Sequence, residues 1–261
     1  MIHEKFTLVI PCYNEAKRLP LEKFAQFLKK NPQARLCFVD DGSRDGTRAV
    51  LEEFCAKFSN VAEVVALPQN NGKAEAVRVG MLRFLENGEG ECAGFWDADL
   101  ATPLEESLRF AEVLKNYPNL QFVFGSRQQT KGARIERNPA RAAVADAVAF
   151  FIRRIIKFPV RDSQCGAKMF RRGVVEKLFG APFVSRWLFD VELFKRVNSP
   201  KDRVYEMALA EWRDVPGSKL KFYHGLKIIG ELFRIAWHYR EPRHEHLAGV
   251  EKNYETKRRV A

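Results

Sequence analysis

Gly94-Phe95-Trp96-Asp97-Ala98-Asp99-Leu100 is the stretch around which the chain is organised. The apolar run from Cys92 to Trp96 reads as a buried strand, and it stops at two carboxylates one residue apart. In extended chain those side chains would point to opposite faces. At a strand end, where the backbone turns, both can converge on one hard cation with oxygen ligands, such as Mg²⁺ or Mn²⁺. Such an ion can hold a diphosphate and stabilise it as a leaving group. Asp99 can instead cap a helix opened by Thr102-Pro103. The spacing alone leaves both roles open, and the surrounding chain has to separate them.

Outward from this stretch, apolar runs alternate with segments of helical spacing. Strands are predicted at Phe6 to Pro11, Arg35 to Asp40, Ala62 to Leu67, Cys92 to Trp96 and Phe122 to Phe124. Helices are predicted over Pro20 to Asn31, from an Asp45 or Thr47 cap to Phe58, over Lys73 to Leu85, and over Pro103 to Tyr117. Strands alternating with helices imply an α/β fold with a mostly parallel sheet. Ligands of such sheets sit at the carboxyl ends of the strands. Those ends carry Cys12-Tyr13-Asn14-Glu15, Asp40-Asp41-Gly42-Ser43, Asn70-Asn71-Gly72-Lys73 and Asp97-Ala98-Asp99. All would line one crevice suited to a metal-bound nucleoside diphosphate. There Asp40 or Asp41 can accept hydrogen bonds from base or ribose, and Tyr13 can stack. Lys73, at a helix N-terminus, can meet phosphate. Neither GxxxxGK[ST] nor a GxGxxG after the first strand is present, which argues against ATPases and dinucleotide dehydrogenases.

Composition agrees with a globular protein: 261 residues, 46% apolar and 30% charged, suit one large domain or two small ones. The net charge of +11 calls for an acidic partner, whether nucleic acid, anionic membrane or phosphorylated substrate. Most of those basic residues are expected on a solvated face. The five cysteines are scattered and never spaced as CxxC, so buried free thiols in a reducing compartment are expected, with Cys165 structural. No secretory signal precedes Phe6, and no apolar segment reaches the roughly 18–20 residues of a membrane span. The expected location is therefore cytosolic or cytosol-facing.

Val9-Ile10-Pro11-Cys12-Tyr13-Asn14-Glu15, Val39 to Thr47 (VDDGSRDGT) and Asp97-Ala98-Asp99 resemble the nucleotide-sugar half of family 2 glycosyltransferases, which have a GT-A fold. The resemblance runs from about Phe6 to about Tyr239. It implies that Pro11, Tyr13, Glu15, Asp40, Asp41, Lys73, Asp97 and Asp99 bind the nucleotide-sugar donor, with Asp97 and Asp99 on Mg²⁺ or Mn²⁺. The later segments Val160 to Phe170, Arg186 to Leu193 and Glu211 to Leu220 resemble dolichyl-phosphate β-glucosyltransferases, and less closely the dolichyl-phosphate mannose synthases. That implies inverting transfer of a hexose, glucose from UDP-glucose, onto a polyprenyl phosphate, and no nucleic-acid partner. GDP-mannose as donor or a saccharide acceptor is the alternative. A non-enzymatic basic nucleic-acid or membrane-surface binder is a remote one. Two departures stand out. Gly72-Lys73 is followed by Ala74-Glu75 where the family usually has two glycines, which adds bulk and charge beside the donor site. The N-terminal anchor of the eukaryotic glucosyltransferases is missing, so membrane contact is expected to be peripheral, on the cytosolic face.

The acceptor class decides the chemistry. A sugar hydroxyl needs a general base, and Asp190 occupies the position that the wider family uses for one. A polyprenyl phosphate, with a second pKa near ~6, is already anionic at neutral pH and needs cations to position it. Arg127, Arg141 and Lys168 are the candidates by that resemblance. Asp190 then orients the acceptor or a basic neighbour, or is a buried carboxylate paired with Arg186 or Lys168. Apolar stripes run along Arg141 to Phe158 and Phe222 to Tyr239, the latter through Leu226, Ile229, Leu232, Phe233, Ile235 and Trp237. Each packs on the sheet or lies in a membrane interface. The domain expected is a single one over 1–240, with a donor half at 1–126 and an acceptor half at 127–240. A polar, mobile tail is expected at 241–261.

Overall fold

The computed structural model describes residues 4–87, 89–136, 149–150, 152–153, 160–197, 203–215 and 225–240, side chains of 225–229 excepted. Arg141 and most of the expected stripe up to Phe158, as well as 241–261, lie outside them. Strands β1 (Phe6–Cys12), β2 (Ala34–Asp40), β3 (Ala62–Ala66) and β4 (Cys92–Trp96) alternate with helices α1 (Leu21–Lys30), α2 (Thr47–Lys57) and α3 (Lys73–Glu86). Then follow α4 (Glu106–Asn116), β5 (Phe122–Ser126), β6 (Arg134–Glu136), β7 (Ala167–Arg171), α5 (Arg172–Phe179) and α6 (Phe189–Arg196). The remaining elements are β8 (Val204–Ala208), β9 (Glu211–Arg213) and α7 (Gly225–His238).

Seven strands form one sheet in the order β3-β2-β1-β4-β7-β5-β8, and β6 pairs with β9 in a separate ribbon. All neighbours in the large sheet are parallel except β7, which runs antiparallel to β4 and β5. The sheet is buried on both faces because period-2 side chains feed two cores. Phe6, Leu8 and Ile10 of β1 join Phe24 and Phe27 of α1, Leu51 and Phe54 of α2 and Phe110 of α4. Val9 faces the other way, towards Val77 and Met81 of α3, Val175 of α5, Val191 of α6 and Ile235 of α7.

The predicted strands and helices appear within a few residues of their expected ends. Helix α4 opens at Glu106 rather than Pro103, because Glu106, Ser107 and Leu108 first donate to carbonyls three residues back, a tighter turn than the α-helix. Asp45 does not cap a full turn, but its carboxylate accepts the Thr47 N–H at 2.9 Å. All five cysteines are free and buried, as composition suggested.

The antiparallel β7 is what completes the site. Its register sets Lys168 opposite Phe95 and Ala167 opposite Trp96. The segment entering β7 thereby reaches the carboxyl end of β4, where the two aspartates follow.

Candidate active site

Parallel pairing brings the ends of β1, β2 and β4 side by side, with Cys12 opposite Asp40. The first two loops are laced together. Asn14, left-handed at φ 51°, donates its N–H to Ser43 Oγ at 2.9 Å and accepts the Arg44 N–H on its side chain at 2.9 Å. The Glu15 N–H donates to Thr47 Oγ1 at 2.7 Å, while the Glu15 carboxylate is ion-paired with Arg18. Asp40 Oδ1 accepts the Ser43 N–H at 3.2 Å. Pro11 and Tyr13 are half-buried at the rim of the same loop pair.

Asp41 fastens the third loop to these two. Its carboxylate accepts the Asn71 N–H at 2.7 Å, the Gly72 N–H at 2.9 Å and Asn70 Nδ2 at 2.9 Å. Burial raises its pKa, while the two backbone donors pull it back. Gly72 sits at φ 96°, ψ 160°, a region open essentially to glycine alone, and a Cβ there would lie 2.9 Å from Arg186 Nε. Arg186 clamps the loop from the other side, donating to the carbonyls of Asn71 at 3.0 Å and Asn70 at 3.1 Å. Asp41 and Arg186 together therefore aim the start of α3, and with it Lys73.

Lys73 reaches across to the carboxyl end of β4, where its ammonium is ion-paired with Asp97. The Asp97 N–H donates to Gly166 O at 3.2 Å, and its carboxylate lies so close over Gly166 that any Cβ at 166 would overlap it. The backbone then turns through Leu100 at φ 53°. Asp99 accepts the Ala101 N–H at 3.1 Å, so it stabilises this turn rather than capping α4, which starts seven residues later. The Asp99 pKa is raised by burial and by Asp97, against the pull of the Ala101 N–H, Lys73 and Arg18. The Lys73 pKa is raised too: burial opposes its charge, but Asp97, Asp190 and Asp99 outweigh that. Two carboxylates crowded into one site, with one of them ion-paired to Lys73, have room for more positive charge.

Among the described residues no group of three or more His, Cys, Asp or Glu side chains could hold a metal. Asp97 and Asp99 are thus two carboxylates without a third acidic, His or Cys partner among the described residues. That donor set fits a hard divalent cation that takes its other oxygens from water and substrate phosphates.

The other half of the crevice is built on β5, β7 and α6. Lys168, fully buried, donates to Asp190 Oδ1 at 2.5 Å and to Cys165 O at 2.8 Å. Lys73 and Lys168 both stand over the Phe95 ring, at 6.0 and 5.4 Å. Of the two partners expected for Asp190, Lys168 is the one it has. Arg127 grips Asp162 with two parallel 2.7 Å bonds and its own N–H at 2.9 Å. Although burial opposes it, the Arg127 guanidinium holds the Asp162 carboxyl below the usual range. Burial pushes the Cys165 thiol up to about 12, which removes it as a nucleophile.

The structure therefore brings Asp97, Asp99, Lys73, Lys168 and Asp190 together and places Glu15, Asp40 and Asp41 beneath them as loop organisers. Gly166, Asp162 and Arg186 also shape the crevice. Sequence reasoning missed these three roles, because each depends on a partner distant in the chain: Asp97 for Gly166, Arg127 for Asp162 and Asn70 for Arg186.

The sequence profile described as "Glycosyl transferase family 2" matches residues 7–179. The chain is 31% identical over 251 residues to the human dolichyl-phosphate beta-glucosyltransferase, covering 90% of this chain and 76% of that one. It is 32% identical over 246 residues to the Drosophila melanogaster protein of the same name, covering 88% and 74%. Among solved structures, glucosyl-3-phosphoglycerate synthase from Mycobacterium tuberculosis, in complex with UDP, matches with TM-score 0.63 at 18% identity, over 90% of this chain and 80% of that one. A mannosyltransferase from Pyrobaculum calidifontis, in complex with GDP-Man and Mn²⁺, matches with TM-score 0.61 at 19% identity, over 93% and 66%.

Proposed function

This chain belongs to glycosyl transferase family 2, has a GT-A fold and is an enzyme, a glycosyltransferase; from that premise we propose that it moves glucose from UDP-glucose to a polyprenyl phosphate at a membrane surface. Support for the acceptor comes from relatives named dolichyl-phosphate beta-glucosyltransferase along nine-tenths of the chain. The observation that carries the reading is the Lys168–Asp190 pair. A hydroxyl acceptor needs a free carboxylate base, and here the carboxylate in that place is buried and bonded to an ammonium at 2.5 Å. Such a group suits an acceptor that arrives already ionised.

In this reading the acceptor phosphate oxygen attacks the anomeric carbon from the face opposite the diphosphate. The new C–O bond forms as the bond to the diphosphate breaks, and UDP leaves. Asp97 and Asp99 would hold Mg²⁺ or Mn²⁺, which when bound would supply positive charge to the diphosphate. Lys73, aimed by the Asp41-bound loop, exchanges part of its contact with Asp97 for phosphate. The loops at Pro11 to Glu15 and Asp40 to Ser43 form the nucleoside side. Lys168 holds Asp190 in place through its 2.5 Å bond and adds positive potential near the reacting centre, and Arg127 with Asp162 forms the wall of the acceptor half (127–240). Arg141, outside the described residues, remains our candidate for direct contact with the acceptor phosphate.

Donor binding tests this directly. Melting temperature is followed with UDP-glucose, GDP-mannose, UDP and GDP, each with and without Mn²⁺. Stabilisation by uridine compounds that needs the metal and is lost in Asp99→Ala is expected. A response confined to guanosine compounds would replace the proposed donor with GDP-mannose.

A further inference from the structure

Helix α7 has two apolar sides where a helix that only packs on the core needs one. Leu232 and Ile235 are buried against the sheet, and the Tyr239 hydroxyl donates to the buried Glu192 carboxylate at 3.0 Å. On the opposite side Phe233 and Trp237, one turn apart, are 72% and 75% exposed, the most exposed large hydrophobic side chains among the described residues. Arg234, His238 and Arg240 are exposed around them, and the Arg240 guanidinium lies 5.9 Å from the Trp237 ring.

We propose that Phe233 and Trp237 are a docking face that seats α7 in the interface of an anionic lipid bilayer. Scattered exposed apolar residues are ordinary, but paired aromatics ringed by basic side chains have the composition of helices that lie in the headgroup region. Charge selects the occupant: Arg234 and Arg240 are exposed beside the aromatic pair, the carboxylate of Glu231 is taken up by Ser185, and the whole chain carries +11, so an anionic surface is attracted by both short- and long-range terms. No described helix is long and apolar enough to cross a membrane, so contact through α7 is interfacial. The face is also tied to the site. Ser185 Oγ donates to Glu231 Oε2 of α7 at 2.5 Å, and Ser185 begins the segment Ser185-Arg186-Trp187 that clamps the Lys73 loop and leads into α6 with Asp190. A bilayer held at α7 would thus lie one helix away from the candidate acceptor residues. The inference rests on the polyprenyl-phosphate reading for its purpose, though not for its geometry.

The test is flotation of the full chain with vesicles of phosphatidylcholine with or without phosphatidylglycerol. Wild type is expected to float with the anionic vesicles and to be released by high salt. Phe233→Ser/Trp237→Ser is expected to lose binding by about tenfold or more, with melting temperature and its UDP-glucose response unchanged. Equal flotation of both proteins would overturn the proposal. So would a wild-type dimer in light scattering that the double variant dissolves, since the face would then be an interface between copies. Transfer to a short, water-soluble prenyl phosphate separates this from the acceptor reading. If that reading fails, neither protein transfers, yet flotation still reports on docking. If docking alone fails, both transfer and neither floats.

Discussion

Two ion pairs, Lys168–Asp190 buried and Arg127–Asp162 half-buried, decide how this site works at the level of residues. Lys168 has no exposure and Asp190 almost none, so each charge is tolerable only because of the other. Lys168→Met or Asp190→Asn alone should cost about 3–5 kcal/mol, because either leaves a buried charge or polar group without its partner. The pair Lys168→Met/Asp190→Leu should cost clearly less than the sum. Chemical denaturation of the three variants checks this, and additivity would contradict it. The Arg127–Asp162 pair makes a pH prediction. Asp162 has its folded pKa depressed below the ordinary 3.8, so its stabilisation is present above that value and is lost as pH falls through the folded pKa. Asp162→Asn should therefore be less stable than wild type near neutrality, with the gap closing only at strongly acidic pH. A gap that stays constant down to that range would show that the carboxylate charge is not what matters. Residue-level roles were partly legible in sequence: the carboxylates and lysines at strand ends announced themselves by position. Which of them touch each other was not, because Asp41 and Glu15 find their partners, Asn71, Gly72 and Arg18, through loop conformation.

Among the elements, β7 and the Gly72 turn carry the site. The run Ala167-Lys168-Met169-Phe170-Arg171 gave no strand signal, since a charged residue occupies what turns out to be a fully buried position. It can be a central strand only because α6 delivers Asp190 to Lys168, a contact 22 residues away that no local pattern reveals. The strands β1 to β5, by contrast, were legible because uninterrupted apolar runs need no distant partner to be buried. Helix α7 was half legible: its stripe was plain, but Leu232 and Ile235 turned inward while Phe233 and Trp237 turned out. The turn before α3 makes the prediction at this scale. Gly72→Ala forces a Cβ against Arg186 in a backbone region reserved for glycine, and should cost on the order of 1–3 kcal/mol. Because the same turn aims Lys73, its donor affinity should fall by more than its stability loss explains. A variant with wild-type donor binding would show that the turn does not position Lys73.

For the molecule as a whole, three laced loops, the β4 end and the β7 entry converge at one edge of a seven-stranded sheet. Lys73, Arg18 and Arg127 bring positive charge to Asp97 and Asp99 at that edge, which is the arrangement a metal-bound diphosphate and an anionic acceptor both require. The central claim is that this edge transfers glucose to a prenyl phosphate, and one assay addresses it. Radiolabelled UDP-glucose and GDP-mannose are offered with a prenyl phosphate and Mn²⁺, and label entering the organic phase is counted for wild type and Asp97→Ala. Label from UDP-glucose in the organic phase, removed by a chelator and reduced about 10²-fold or more in Asp97→Ala, is the predicted result. Label that stays in water-soluble saccharide, or organic-phase label that Asp97→Ala leaves intact, would contradict it.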